Sequence, residues 1–190
     1  MDLVEGIDKA KHIANKLLGL GATRTKIIQA RDIVVDQRVR HQCSHSGCDS
    51  YGKLMCPPNL PPIRECQNTL NSYLYGILLQ SHLKLENQAS GDMDHSFKKQ
   101  VFEGALNLHH LVYEGEQLAF KMGFPFPAGF IGGACHLCSS CSPTCKNPHK
   151  ARPSMEGMGI DVIETSQRAA NWTIAFNDSK INWTGLILLD

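Results

Sequence analysis

The sequence has no apolar run near the roughly eighteen residues that span a bilayer, so no membrane helix is expected. Its opening, MDLVEGIDKAKHIANKLLGLGA, carries two early acids and scattered lysines, which is not the profile of a secretory leader. Charge of one sign is also missing. Nineteen Lys and Arg stand against eighteen Asp and Glu, with no long run of either, which leaves no electrostatic reason to bind nucleic acid or an anionic membrane. There is no glycine-rich phosphate loop after a strand, no nucleophile elbow and no H-E-x-x-H pair. These absences remove nucleotide-driven, acyl-transfer and zincin-type chemistry from the list of functions.

Cysteine, by contrast, is plentiful: eight in 190 residues. Without an export signal the expected location is the cytoplasm, where structural disulfides are disfavoured. A chain of this length also buries roughly 70% of its unfolded surface, so it needs no covalent staple to fold. Metal or redox chemistry is the remaining use for so many thiols.

The length suits one domain over residues 1–190. Leu3, Ile7, Ala10, Ala14 and Leu17 repeat at helical spacing, and core packing is the plain meaning of such a stripe. Ile27, Ile28, Ile33, Val34, Val35 and Val39 predict one or two strands leading to Cys43. Pro62 opens a short helix through IRECQNTLNSYL, and YLYGILLQSHL reads as a buried strand. LENQASGDMD reads as a surface loop. From His95 to Met122 Phe97, Val101, Ala105, Leu108, Val112, Leu118 and Phe120 fall near one helical face, which Gly123 ends. FPFPAGFIGGAC is extended, a short helix runs from Asp161 to Ala170, and WTIAFN and WTGLILLD predict a closing hairpin around NDSKIN. The sum is a mixed α+β sandwich: a central sheet flanked by helices, with cysteine-rich loops gathered at one edge.

The cysteines divide into two sets of four. Cys135, Cys138, Cys141 and Cys145 follow C-x2-C-x2-C-x3-C, the run by which bacterial ferredoxins ligate 4Fe–4S clusters. Short gaps let the backbone curl around a compact body and aim N–H groups at its sulfurs. Zinc is the rival, but its four-thiolate sites favour two C-x2-C pairs set well apart. The ferredoxin run places Pro directly after its last cysteine, whereas here Lys146 and Asn147 precede Pro148.

Cys43, Cys48, Cys56 and Cys66 have gaps of four, seven and nine, which match no common pattern. Their segment is rich in Gly, Ser and Pro, with four prolines between Pro57 and Pro62, and nothing but a metal offers to organise it. A second 4Fe–4S cluster, zinc or no metal remain open there. So does an exchange in which Cys145 serves the other centre, as the fourth cysteine does in two-cluster ferredoxins.

His41, His45, His136 and His149 lie near these cysteines, and with eight thiols at hand they read as exposed or supporting residues. His109 and His110 read as facing solvent or a subunit contact. Arg152, Glu156 and Asp161 read as a salt-bridged rim, with substrate or partner contact as the sharper alternative. The glycines of GFIGGAC read as room for a cluster.

The motifs CDSYGKLMCPP with a further Cys, GGACHLCSSC, CKNPHKARPSMEGMGIDV and the closing GLILLD resemble a family of prokaryotic predicted metal-binding proteins with a domain of unknown function. The resemblance runs from about Cys43 to Asp190. It implies metal binding through these cysteines and a life in anaerobes, and it brings no established reaction. The combined expectation is a cytoplasmic iron–sulfur protein holding one or two 4Fe–4S clusters and exchanging electrons with a redox partner protein. The alternatives are a catalytic centre with substrate at an open cluster corner and a zinc-stapled interaction module. A catalytic centre would show three cysteines beside a pocket lined by Arg152 or Glu156.

Overall fold

The computed structural model describes residues 3–84, 93–174 and 180–190. Among them the elements run α1 (Leu3–Gly19), β1 (Arg24–Gln29), a 3-10 turn (Ala30–Asp32), α2 (Gln37–His45), α3 (Ile63–Asn71), β2 (Tyr75–Lys84), α4 (Met93–Lys121), β3 (Ala128–Ile131), α5 (Val162–Ala170) and β4 (Lys180–Leu189). The four strands form one antiparallel sheet in the order β1-β2-β4-β3, giving a mixed α+β fold.

Two unbroken apolar runs make the sheet's centre. Ile77, Leu78 and Leu79 of β2 lie opposite Ile187, Leu186 and Gly185 of β4. Successive strand residues point to opposite faces. Ile77 and Leu78 are both fully buried, so both faces of the sheet are covered. One face packs on α1 and α4 through Ala10, Ile13, Leu17, Leu108, Leu111 and Val112. The other packs Leu78, Leu186 and Leu188 against Leu70 of α3 and the buried Met155, Met158 and Ile160. Each such side chain contributes on the order of 1.5–3 kcal/mol by leaving water.

The segment holding those methionines is the hub of the second face. Ile131 of β3 accepts from the Met155 N–H at 2.8 Å and donates to the Pro153 carbonyl at 3.1 Å. The Asp161 N–H reaches the Val34 carbonyl, and the Asp36 N–H reaches that of Gly159, each at 2.9 Å. Asp161 then caps α5, its carboxylate accepting the Glu164 N–H at 2.9 Å. This is the ARPSMEGMGID stretch, and it carries chain from both cysteine segments to the same sheet.

Several expectations change. The strand leading to Cys43 stops at Gln29; Val35 makes only an isolated bridge to Ile160, and Val39 and Cys43 ride on α2. That helix starts where Asp36 accepts the Arg38 N–H at 2.8 Å, and it buries no residue, so it shows no apolar stripe to read. Phe97 and Phe120 of α4 are exposed, unlike Ala105, Leu108 and Val112. Of the expected closing hairpin, residues 172–174 form no strand, residues 175–179 lie outside the described residues, and β4 pairs with β2 and β3. The expected surface loop at 85–92 also lies outside them. No helix among the described residues is long and apolar enough to cross a membrane.

Candidate metal centre

β3 delivers the chain through Gly132 and Gly133 to Cys135. These glycines make room for the sheet and its indole, where the sequence suggested room for a cluster. A Cβ on Gly132 would lie 2.5 Å from the Thr184 carbonyl oxygen. Gly133 sits at φ 80°, a left-handed conformation that side chains disfavour, against the ring of Trp183. Cys135, Cys138, Cys141 and Cys145 then line one hollow of ≈ 50 Å³. Its far wall is Lys53, Leu54 and Met55, from the other cysteine segment.

Sulfur is the main hydrogen-bond partner in this second segment. Asn147 donates its side-chain N–H to the Cys138 Sγ at 3.0 Å and its backbone N–H to the Cys145 Sγ at 3.4 Å. Burial pushes the Cys135 thiol up, the Leu137 amide opposes that rise, and negative charge on the other three cysteines adds to it. Four thiolates facing one hollow repel one another, and a cation bound among them relieves that repulsion.

The first set is arranged differently. Cys43 projects from α2, Cys48 follows its end, and Cys56 lies in the turn before Pro57. These three line one cavity of ≈ 680 Å³ together with Ser154, Glu156, His136 and Trp183. Burial drives the Cys56 thiol up to about 11, against a hydrogen bond with Ser154. The Cys43 thiol is raised by burial first, then by Cys48 and Glu156. Cys66 is elsewhere. It is fully buried on α3 in the second core face, its thiol 3.5 Å from the Met158 sulfur and 3.4 Å from the Pro61 carbonyl oxygen.

The expectation that this segment cannot organise itself is overturned. The Gly52 N–H donates to Pro57 at 2.7 Å, Cys56 to Lys53 and Asn59 to Cys56 at 3.0 Å each. The Asn59 side chain reaches the Gly52 carbonyl at 2.9 Å. Arg40, one turn before Cys43, holds the Leu60 carbonyl at 3.1 Å and also that of Pro61. Consecutive turns and one arginine order the loop.

The two hollows are neighbours. Lys53 lines both, and the adjacent residues Cys135 and His136 line one each. The Ser154 N–H donates to Met55 at 3.2 Å, and both Glu156 carboxylate oxygens accept the Gly133 N–H, at 3.1 and 3.0 Å. Burial raises Glu156 to about 7.

The expected charged rim turns inward. Arg152 pairs with Glu116 of α4, both largely buried, and Glu116 also accepts the Gly129 N–H at 2.8 Å. Arg152 therefore lies away from the first cavity, and Glu156 alone of the two lines it. His109, expected to face solvent or a subunit, is 2% exposed, its Nε2 2.7 Å from the Lys150 carbonyl oxygen. His109, Tyr113 and Glu116 stand at i, i+4 and i+7 on α4. Together they hold residues 150–152, with Lys150 and Arg152 over the Tyr113 ring at 5.6 and 5.7 Å. The i, i+4, i+7 spacing of this stripe is visible in the sequence, while its partners at 150–152 are not. His41 and His45 stack on each other on exposed α2, and His136 packs edge-on against Phe102 at 5.5 Å.

Among the described residues no three Cys, His, Asp or Glu side chains sit close enough to hold a single metal ion. The donor sets nonetheless fit a thiolate-bound group: four sulfurs around one hollow with N–H donors aimed at three of them, and three around a second. No curated protein and no solved structure matches the chain. A family model does match, over residues 26–189, and so spans both cysteine segments and the hub between them: the chain belongs to the family described as predicted metal-binding protein (DUF2284).

Proposed function

We propose that this metal-binding protein is a cytoplasmic iron–sulfur protein that exchanges single electrons with a redox partner protein. Cys135, Cys138, Cys141 and Cys145 would hold a 4Fe–4S cluster, and the first set a second centre through Cys43, Cys48 and Cys56. The observation that carries the reading is the pair of Asn147 donors on Cys138 and Cys145 within a C-x2-C-x2-C-x3-C run. N–H groups aimed at cluster sulfurs stabilise the more negative, reduced state and raise the potential. Such a cluster, when bound, supplies reversible one-electron chemistry. The chain's own part is to hold the thiolates, donate from Asn147 and Leu137, and close the inner wall with Leu54 and Met55.

The short gaps of the second run favour a cluster over zinc. The test is purification without oxygen, followed by metal and sulfide analysis and absorption spectra. A brown protein with matched iron and acid-labile sulfide, bleached by dithionite, is expected. Cys138→Ser should then remove one cluster's iron. A colourless protein with stoichiometric zinc overturns the proposal.

A further inference from the structure

The two cysteine sets differ in how many thiols reach their hollow. All four reach the second, and only three reach the first. Cys66 is committed to the core: it is fully buried on α3 and packs among Ile28, Leu70, Met155 and Met158. Its sulfur faces Met158 and the Pro61 carbonyl, and Arg40 lies 4.0 Å away.

Resting on the reading that the cysteine sets hold metal, we infer that the first set is a three-thiolate centre. Its remaining coordination position opens into the ≈ 680 Å³ cavity and takes a small organic anion, a carboxylate or thiolate, from solution. The cavity is far larger than a fourth ligand needs, since pockets for small molecules begin at about 300 Å³. Tyr51, Pro57 and Trp183 give it apolar wall, while Gln42 and Lys53 give it polar groups. Lys53 is the cationic side chain on a lining that also carries the carboxylates of Asp49 and Glu156, and it supplies the positive charge an anion requires. Its ammonium, 3.0 Å from the Ser50 hydroxyl, stands on the wall shared with the second hollow. The carboxylate of Glu156 is already engaged by the Gly133 N–H. A closed four-thiolate centre thus stands one residue from an open one, an arrangement in which one centre handles electrons and the other handles a ligand.

The test uses the full chain loaded with iron and sulfide under argon, as wild type, Cys56→Ala and Cys66→Ala, with Cys66→Val as a second variant that keeps the core filled. Iron is counted per folded chain, and electron paramagnetic resonance of the reduced protein is recorded with and without mercaptoacetate. Wild type and the Cys66 variants should carry the same iron, and mercaptoacetate should shift one of two signals. Cys56→Ala should lose about half the iron and the whole mercaptoacetate response. A folded Cys66 variant that loses as much iron as Cys56→Ala overturns the inference. So does a wild-type spectrum that saturating mercaptoacetate leaves unchanged, which decides the matter if both Cys66 variants fail to fold. A wild-type chain that takes no iron at either set defeats the underlying reading instead. Iron held only at the second set defeats the inference alone.

Discussion

The two cysteine segments look alike in composition and are built on opposite principles. Residues 48–59 are stitched by successive turns, and α2 clamps the end of that loop through Arg40. Among the described residues, no backbone-to-backbone hydrogen bond has either end between Ala134 and Lys146. There the Leu137 amide donates to the Cys135 sulfur. Backbone polar groups must be satisfied somewhere, and the two segments answer that demand differently. The first is a protein loop that presents thiols. The second is chain whose four thiols line one hollow, and its order is expected to depend on what they hold. Counting cysteines alone hides this difference.

Metal removal should therefore act unequally, and this is the largest effect expected. When the loaded protein is stripped by a chelator under reducing conditions, amides between Ala134 and Lys146 should lose at least about tenfold in hydrogen-exchange protection, the signature of a segment whose local stability falls by more than about 1.4 kcal/mol. Gly52, Cys56 and Asn59, whose N–H groups are bonded within the turns, should change little. Equal loosening of both segments would break the comparison, and with it the claim that the first loop orders itself.

The sequence was a good guide where one periodicity dominated. The apolar runs at 77–79 and 186–189 are strands covered on both sides, and α4 ends at Lys121, just before the left-handed Gly123 that its pattern implies as the stop. It was a poor guide where polar groups have long-range partners. α2 carries no apolar face, so its helix could not be separated from the Ile33–Val35 run before it. Cys66 reads as a fourth ligand by count, yet the core face of α3 claims it. His109 reads as facing solvent or a subunit because nothing local reveals that Lys150 folds back onto it. For the site, the close spacing of the second run already groups the four cysteines that line one hollow, while the three-to-one division of the first set depended on tertiary packing.

The comparison sharpens at Arg40. Its guanidinium donates to the Leu60 and Pro61 carbonyls, two of the few bonds that tie the loop to α2. Arg40→Met keeps the aliphatic stem and removes both charge-assisted bonds, at a cost of about 2 kcal/mol. Protection and protease resistance around residues 57–62 should fall, while residues 134–146 of the loaded protein stay as they were. If the second segment loosens as much, the two loops form one cooperative unit and the contrast is only apparent.

The smallest effect tests the exit of the second segment. His109 is buried beneath Lys150, and burial holds its pKa below the usual 6.5. The Lys150 carbonyl pulls it up, while the charges of Arg152 and His136 push it further down. A group with a depressed folded-state pKa contributes its stability above the unfolded value and loses it as the pH falls through the folded one. The wild type should thus shed stability on acidification below about pH 6.5 as His109 takes a proton it cannot solvate. His109→Gln keeps a donor for Lys150 and has nothing to titrate. At pH 8 it should cost about 1 kcal/mol, the worth of one disturbed hydrogen bond. Its melting temperature should then fall less steeply than the wild type's between pH 7 and pH 5. Parallel melting curves for the two proteins across that range would mean that residues 150–152 stay docked on α4 without help from His109. The second segment would then owe its anchorage on α4 to Tyr113 and to the Glu116–Arg152 pair.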